Sequence, residues 1–242
     1  ADRDHINRFS DLFYLEHASK YQSDERIKIN DLWVPSAVIC GDEVSDEAKI
    51  LRAEARYRLK KKKGIRVFSR PEVLKGWFEE EGMKMADYAE CLVDAGKLVP
   101  GFEVETTGIE FFVHSPFASR QDDGSLVERN DCSIVVQVCF KNNDHITKVI
   151  LSADTIWEAW EEIVKISKYH KNEHRLEYDI FELPHHCSYL SLSDEKGKDK
   201  TTPKDSVDWL FNKANPGALI ISTSNPIPSE DTDQPPHRQA AN

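Results

Sequence analysis

"DIFELPHHCSYLS", residues 179–191, sets two adjacent histidines and a cysteine at the end of a short apolar run. By itself the stretch is compatible with three chemistries. It can be a core detail, a thiol–imidazole pair of Cys187 with His186, or half of a metal site whose other half lies elsewhere. A histidine after a strand is more often a hydrogen-bonded structural residue than a ligand, so the rest of the chain has to decide.

Immediately upstream, "KVILSADT" (148–155) ends an apolar run in Asp154, and Thr155 opens the amphipathic helix "TIWEAWEEIVKISKYH" with Ile156, Trp160, Ile163 and Val164 on one face. A carboxylate at the C-terminal end of a buried strand is a recurring ligand position, and equally a common helix cap. Downstream, "QPPHRQ" holds His237 after two prolines that fix the backbone. At the start of the chain, "DRDH" supplies Asp2, Asp4 and His5 before a helical pattern. If extended, that segment projects both carboxylates to one side, although an acidic cluster there is also an ordinary capping feature.

The strands and helices between these clusters predict an α/β protein. "INDLWVPSAVI" (29–39), "GIRVFS" (64–69), "GIEFFVHSP" (108–116), "SIVVQVCF" (133–140), "YDIFELP" (178–184) and "GALIISTS" (217–224) read as strands. "HINRFSDLFYLEHASK" (5–20) reads as a helix, as does the capped, charged "SDEAKILRAEARYRLKKKK" (45–63). "RPEVLKGWFEEEGMKMADYAECLVDAG" (70–96) reads as more helix, broken at Gly82. Residues 45–95 therefore look like a helical insertion within one domain spanning 1–242. Both ends read as cut, because the chain opens on a charged cluster with no preceding core strand and closes on "HRQAAN", which resembles the first turn of a helix.

Composition narrows the function classes. No run approaches the roughly 18 apolar residues of a membrane helix. Five scattered cysteines without a CxxC pair fit a reducing compartment, so cytoplasm is the default expectation. A formal charge of −11 argues against a general nucleic-acid coat, while leaving room for a local basic channel such as "RLKKKKGIR" (58–66), whose plain reading is a solvated helix end.

Taken in order, "DRDHINRF", "RNDCSIVVQV" (129–138), "LSAD", "ELPHHCS" and "PPH" resemble the metallo-β-lactamase-fold hydrolases, most closely the branch found in ComEC-type DNA-uptake proteins and related phosphoesterases. The resemblance spans nearly the whole chain and implies an αβ/βα sandwich of two mixed sheets flanked by helices, with the leading His of the first motif expected before residue 1. It implies two divalent ions, Zn or Mn, with Asp154 bridging them and Asp2, Asp4, His5, His185 and His186 as the ligand set. Asp2 stands where many relatives carry His, which shifts the donors toward oxygen and lets Mn²⁺ compete with Zn²⁺. Asn130 falls where lactamase relatives place a metal-binding His, and reads equally as a strand-end turn residue.

The implied activity is a metal-dependent hydrolase, a phosphodiesterase or nuclease in which a metal-bridging hydroxide attacks phosphorus. Asp4 would orient or deprotonate it, and His237 would sit by the leaving group or the developing charge. Two alternatives stay open: a binding or regulatory subunit of this fold that has lost catalysis and docks a protein partner through the 45–95 segment, and a hydrolase of a small ester, thioester or lactam. The chain departs from the pattern at three glycines, replaced by Arg8, Ala153 and Cys187. The two replaced by Ala153 and Cys187 normally let the backbone turn tightly beside the metals. A thiol nucleophile at Cys187 would need a Gly-rich nucleophile turn or a helix N-terminus, and neither is evident.

Overall fold

The computed structural model describes residues 6–41, 45–118 and 132–242. It is a mixed α/β protein whose described residues form sheets of two, three and five strands. They fall into two compact units, one built from residues up to 95 with 116–118 and 132, the other from 96–115 and 133–242.

The first unit begins with α1 (Phe9–Leu12) and the short parallel pair β1 (Phe13–Tyr14) and β2 (Ile27–Lys28). Then come β3 (Leu32–Pro35), α2 (Ser36–Cys40), α3 (Asp46–Lys61), β4 (Ile65–Phe68), α4 (Glu72–Glu80), a 3-10 turn at Met85–Cys91 and β5 (Leu92–Val93). Strands β3, β4 and β5 pair in parallel in that order. Parallel neighbours need crossovers, and the helices between them supply these. In α3, Ala48, Leu51, Ala55 and Leu59 are buried at helical spacing in the core with Val34, Ile65 and Val67. Gly64, at φ +65°, starts β4 where a Cβ would meet the Asn30 carbonyl oxygen at 2.7 Å, and its own carbonyl accepts from the Leu32 N–H at 2.9 Å.

Residues 45–95, expected as helices around one strand at 64–69, carry that strand as β4 and a second, β5, both in this sheet. The two-residue β5 lies inside an apolar stretch, "AECLVDAG", whose period alone continues a helix. Of the helix expected over 5–20, the described residues keep a helical Ile6, α1 and a 3-10 turn at Ser19–Tyr21. The backbone N–H groups of Glu16 and His17 donate to the Glu54 carboxylate at 3.0 and 2.9 Å, so the chain there serves the buried acid and not a helical ladder.

In the second unit, α5 (Val104–Thr107) precedes β6 (Ile109–Ser115), followed by β7 (Val135–Asn142), β8 (His145–Leu151), α6 (Trp157–Tyr169), β9 (Tyr178–Leu183), α7 (Asp205–Phe211), β10 (Ala214–Ser222) and α8 (Arg238–Ala241). The sheet order is β10-β9-β8-β7-β6, with β8, β9 and β10 mutually parallel and β6 to β8 an antiparallel meander. Helix α6 connects β8 to β9, and its buried Trp160 meets Phe181 of β9 at 5.8 Å between ring centroids. Phe181 in turn meets Tyr178 and Phe211, which ties α7 to the same core.

His114 of β6 is 3% exposed, and its Nε2 lies 2.9 Å from the Arg175 carbonyl, which fixes the Nε2–H tautomer when the ring is neutral. Burial, reinforced by the Arg175 charge and only partly offset by that hydrogen bond, brings its pKa down to about 4. Between its ordinary value of 6.5 and about 4 the unfolded chain binds a proton that the folded chain refuses, so stability falls as pH falls through that window. The loss should reach about 3 kcal/mol at pH 4. Urea melts at pH 7, 5.5 and 4.5 measure it, and His114→Gln should flatten the slope; an unchanged slope would contradict the assignment.

Candidate metal centre

The C-terminal ends of the three parallel strands β8, β9 and β10 lie side by side, and Asp154, His185 and His186 follow the first two of them directly. In open α/β sheets this edge is where ligands bind. The ends are tied by one carboxylate. Glu182, on β9, accepts the Ser152 N–H at 3.2 Å and the Thr223 hydroxyl at 3.3 Å, while its own carbonyl accepts from Ser152 Oγ at 2.5 Å. Sequence reasoning passed over Glu182, because a single acid in an apolar strand gives no local signal of what lies on the strands beside it.

Asp154 Oδ1 and His186 Nε2 stand 3.5 Å apart, with side chains 14% and 30% exposed. Two donors of one tetrahedral ion, each about 2.0–2.2 Å from it, are separated by about 3.3–3.6 Å. The pair thus fits two positions of a metal shell. Among the described residues, no group of three or more His, Cys, Asp or Glu side chains is arranged to hold a metal. Asp2, Asp4, His5 and Asn130 lie outside the described residues.

His185 donates its backbone N–H to the Ala153 carbonyl at 2.9 Å, linking the turn after β9 to the turn after β8. His237 joins the same cluster: its N–H donates to the Cys187 carbonyl at 3.0 Å, and its Nδ1 accepts from the Tyr189 N–H at 3.3 Å. With Nδ1 an acceptor, the proton of the neutral ring sits on Nε2. That nitrogen is buried without a hydrogen-bond partner among the described residues, in a side chain 2% exposed overall. Burial, with Lys196 and His185 nearby, holds the ring below its ordinary pKa against the opposing pull of the Asp233 carbonyl and Asp231. Cys187 is also 2% exposed, and burial pushes its thiol up, away from the thiolate that a nucleophile requires.

The backbone here is unusual. Eight described residues other than glycine have φ in the left-handed region. Three of these lie outside the sequence motifs: Lys62 caps α3, Asn143 turns the β7–β8 hairpin, and Lys171 follows the end of α6. The remaining five, within the motifs, are Arg8 (62°), which is the N-cap of α1, and Ala153 (47°), His185 (52°), His186 (54°) and Cys187 (64°). They include every position where the family pattern has a glycine and this chain does not.

A left-handed non-glycine residue costs about 1–2 kcal/mol. Ala153 is solvent-exposed, so Ala153→Gly relieves that cost without losing packing. After the greater freedom of glycine in the unfolded chain is subtracted, a net stabilisation of about 0.5–1 kcal/mol remains. In a chain of this size that is a rise in Tm of about 1–4 °C, measurable by scanning calorimetry, and a fall would contradict it. At Cys187 the same change would also remove a buried side chain, so its two effects oppose.

The chain matches no protein-family model, no curated protein and no solved structure.

Proposed function

We propose that the chain is a metal-dependent hydrolase of the metallo-β-lactamase fold, acting on a phosphodiester of a nucleic acid or nucleotide. The observation that carries the reading is the backbone at Ala153 and Cys187, where the resembled pattern calls for glycine and the chain turns left-handed with other residues in place. Sterics alone would remove such turns unless the surroundings hold them, and strained backbone of this kind gathers at ligand sites.

In this reading Asp154 and His186 hold divalent metal, which when bound supplies Lewis acidity toward a phosphoryl oxygen and an activated water. The rest is done by the chain. His185 and Glu182 fix the strand-end turns through the Ala153 carbonyl and through Ser152 and Thr223. His237 offers its Nε2 proton to negative charge developing on the substrate or leaving group, with Nδ1 held by the Tyr189 N–H so that the tautomer is set before substrate arrives. The depressed pKa of its ring keeps it neutral at pH 7, a donor that carries no charge of its own.

The test is metal analysis of the purified protein together with Mn²⁺- and Zn²⁺-supplemented assays on single-stranded DNA, RNA, cyclic nucleotides and a chromogenic phosphodiester. Hydrolysis that a chelator abolishes and metal restores is the expected result. Protein that binds no divalent metal and cleaves none of these would overturn the reading and favour a binding subunit.

A further inference from the structure

Helices α6 and α7 pack against each other in the second unit and present a face that the hydrolytic site does not use. At its centre is Trp209 of α7. The ammonium of Lys168, from the last turn of α6, lies 4.1 Å from the Trp209 ring centroid, and that of Lys213, just beyond α7, lies 4.3 Å from it. Neither lysine forms an ion pair with a described residue, and the two ammoniums are therefore held within about 8 Å of each other by one ring. Next to Lys168, Tyr169 is 82% exposed, the most exposed large apolar side chain among the described residues, and Lys171 lies exposed beyond it. The same helices also carry the exposed acids Glu161, Asp205 and Asp208, the last accepting the Asn212 amide at 3.3 Å.

We propose that this face is a landing surface for single-stranded nucleic acid. Single strands are bound without sequence preference where cations track the phosphates and exposed aromatic rings offer a face for bases to stack on. Lys168, Lys213 and Lys171 supply the first, and Tyr169 supplies the second, while the Trp209 ring is taken up by the two ammoniums. A cation at a helix C-terminus serves the helix dipole, which accounts for Lys168 at the end of α6 and Lys213 just past α7 taken singly, but not for their convergence on one ring. Nor does it account for a tyrosine left almost wholly in water. Along α6 the face lies on the order of 18 Å from the Asp154 end of the helix, so a bound strand would be held away from the strand-end cluster. The chain's formal charge of −11 repels a polyanion at long range, which makes the attraction local and strongly dependent on salt.

The experiment is fluorescence anisotropy of a labelled thymidine homo-oligonucleotide with the full chain carrying Asp154→Asn, in chelator, so that binding is read without hydrolysis. Saturable binding at low salt is expected. The Lys168→Glu/Lys213→Glu pair, the first exposed and the second half-buried, should weaken it at least tenfold and lower the slope of log affinity against log salt by about 1.4, from about 0.7 per phosphate contact, with circular dichroism confirming the fold. Tyr169→Ala should weaken it about fivefold or more with the slope unchanged, because stacking releases no counterions. On the Asp154 background of the natural chain, hydrolysis of a small chromogenic phosphodiester should be unaffected by the lysine changes, which separates this surface from the hydrolytic reading. No binding at low salt, binding indifferent to the lysine pair, or heparin bound as tightly as the oligonucleotide would overturn the proposal.

Discussion

Glu54→Ala should destabilise the first unit by about 3–5 kcal/mol, the range for removing one partner of a buried ion pair. Glu54 has no exposed surface, and its carboxylate receives four donors: the Glu16 and His17 backbone N–H groups, His17 Nδ1 at 2.9 Å and Arg58 Nε at 2.6 Å. Arg58, 2% exposed, extends the network to the carbonyls of Ile29 and Gly64 at 2.8 and 3.0 Å. Alanine would leave a buried guanidinium with only the Glu16 carboxylate, at 4.0 Å, as counter-charge, and two backbone donors unsatisfied. Removing both charges by Glu54→Leu with Arg58→Met should recover only part of the loss, because those backbone groups would still lack partners. Chemical denaturation followed by circular dichroism measures both, and a loss under about 1 kcal/mol would remove Glu54 from the centre of this unit's stability.

The same network sets an acid limit. Burial by itself would raise the Glu54 carboxyl, but the donors from Glu16, Arg58 and His17 outweigh it and hold its pKa below the ordinary 4.5. A carboxylate depressed in the folded state contributes stability that is complete above its unfolded value and lost as pH falls through the folded one. This loss therefore begins below about pH 4.5, under the window in which His114 acts, and Glu54→Ala should flatten the curve there while leaving the slope between 6.5 and 4.5 intact.

Asp154→Asn is the largest functional effect expected. If the side chain holds metal, removing its charge forfeits transition-state stabilisation of several kcal/mol, and about 4 kcal/mol is about a thousandfold in turnover. Folding should hardly change, because a partly exposed ion pair at 3.5 Å contributes about 0–1 kcal/mol. Steady-state hydrolysis, a metal titration and a melting curve on the same sample separate the two. Activity within tenfold of the natural chain, at an unchanged metal affinity, would count against the residue as a ligand.

Much of the second unit was legible because its strands alternate or run apolar between turn residues, and α6 carries its core stripe without interruption. The positions of the candidate residues were legible for a related reason: Asp154, His185 and His186 follow those strands directly, and His237 follows two prolines. The first unit was harder. β5 is two residues long and hides in a helical period, and the helix expected over residues 5–20 is overruled by a carboxylate 37 and 38 residues further on. No local pattern reports a contact at that separation. The left-handed turns were visible only indirectly, as glycines that a family pattern contains and this chain lacks. The pairing of Lys168 and Lys213 on one indole needs α6 and α7 placed side by side, which neither helix encodes alone.

The run of left-handed residues at His185, His186 and Cys187 also bears on how the protein opens. Its strain favours release, and three backbone hydrogen bonds oppose it: His185 to Ala153, Cys187 to Pro184 and His237 to Cys187. Breaking that small set frees the turn without melting the sheet. The amides of these three donors should therefore exchange with deuterium through a local fluctuation, ahead of the β7 and β8 amides, whose exchange waits for global unfolding. Any ligand that grips the turn would slow those few amides first, so exchange at residues 185, 187 and 237 provides a reporter of occupancy that needs neither turnover nor knowledge of the substrate.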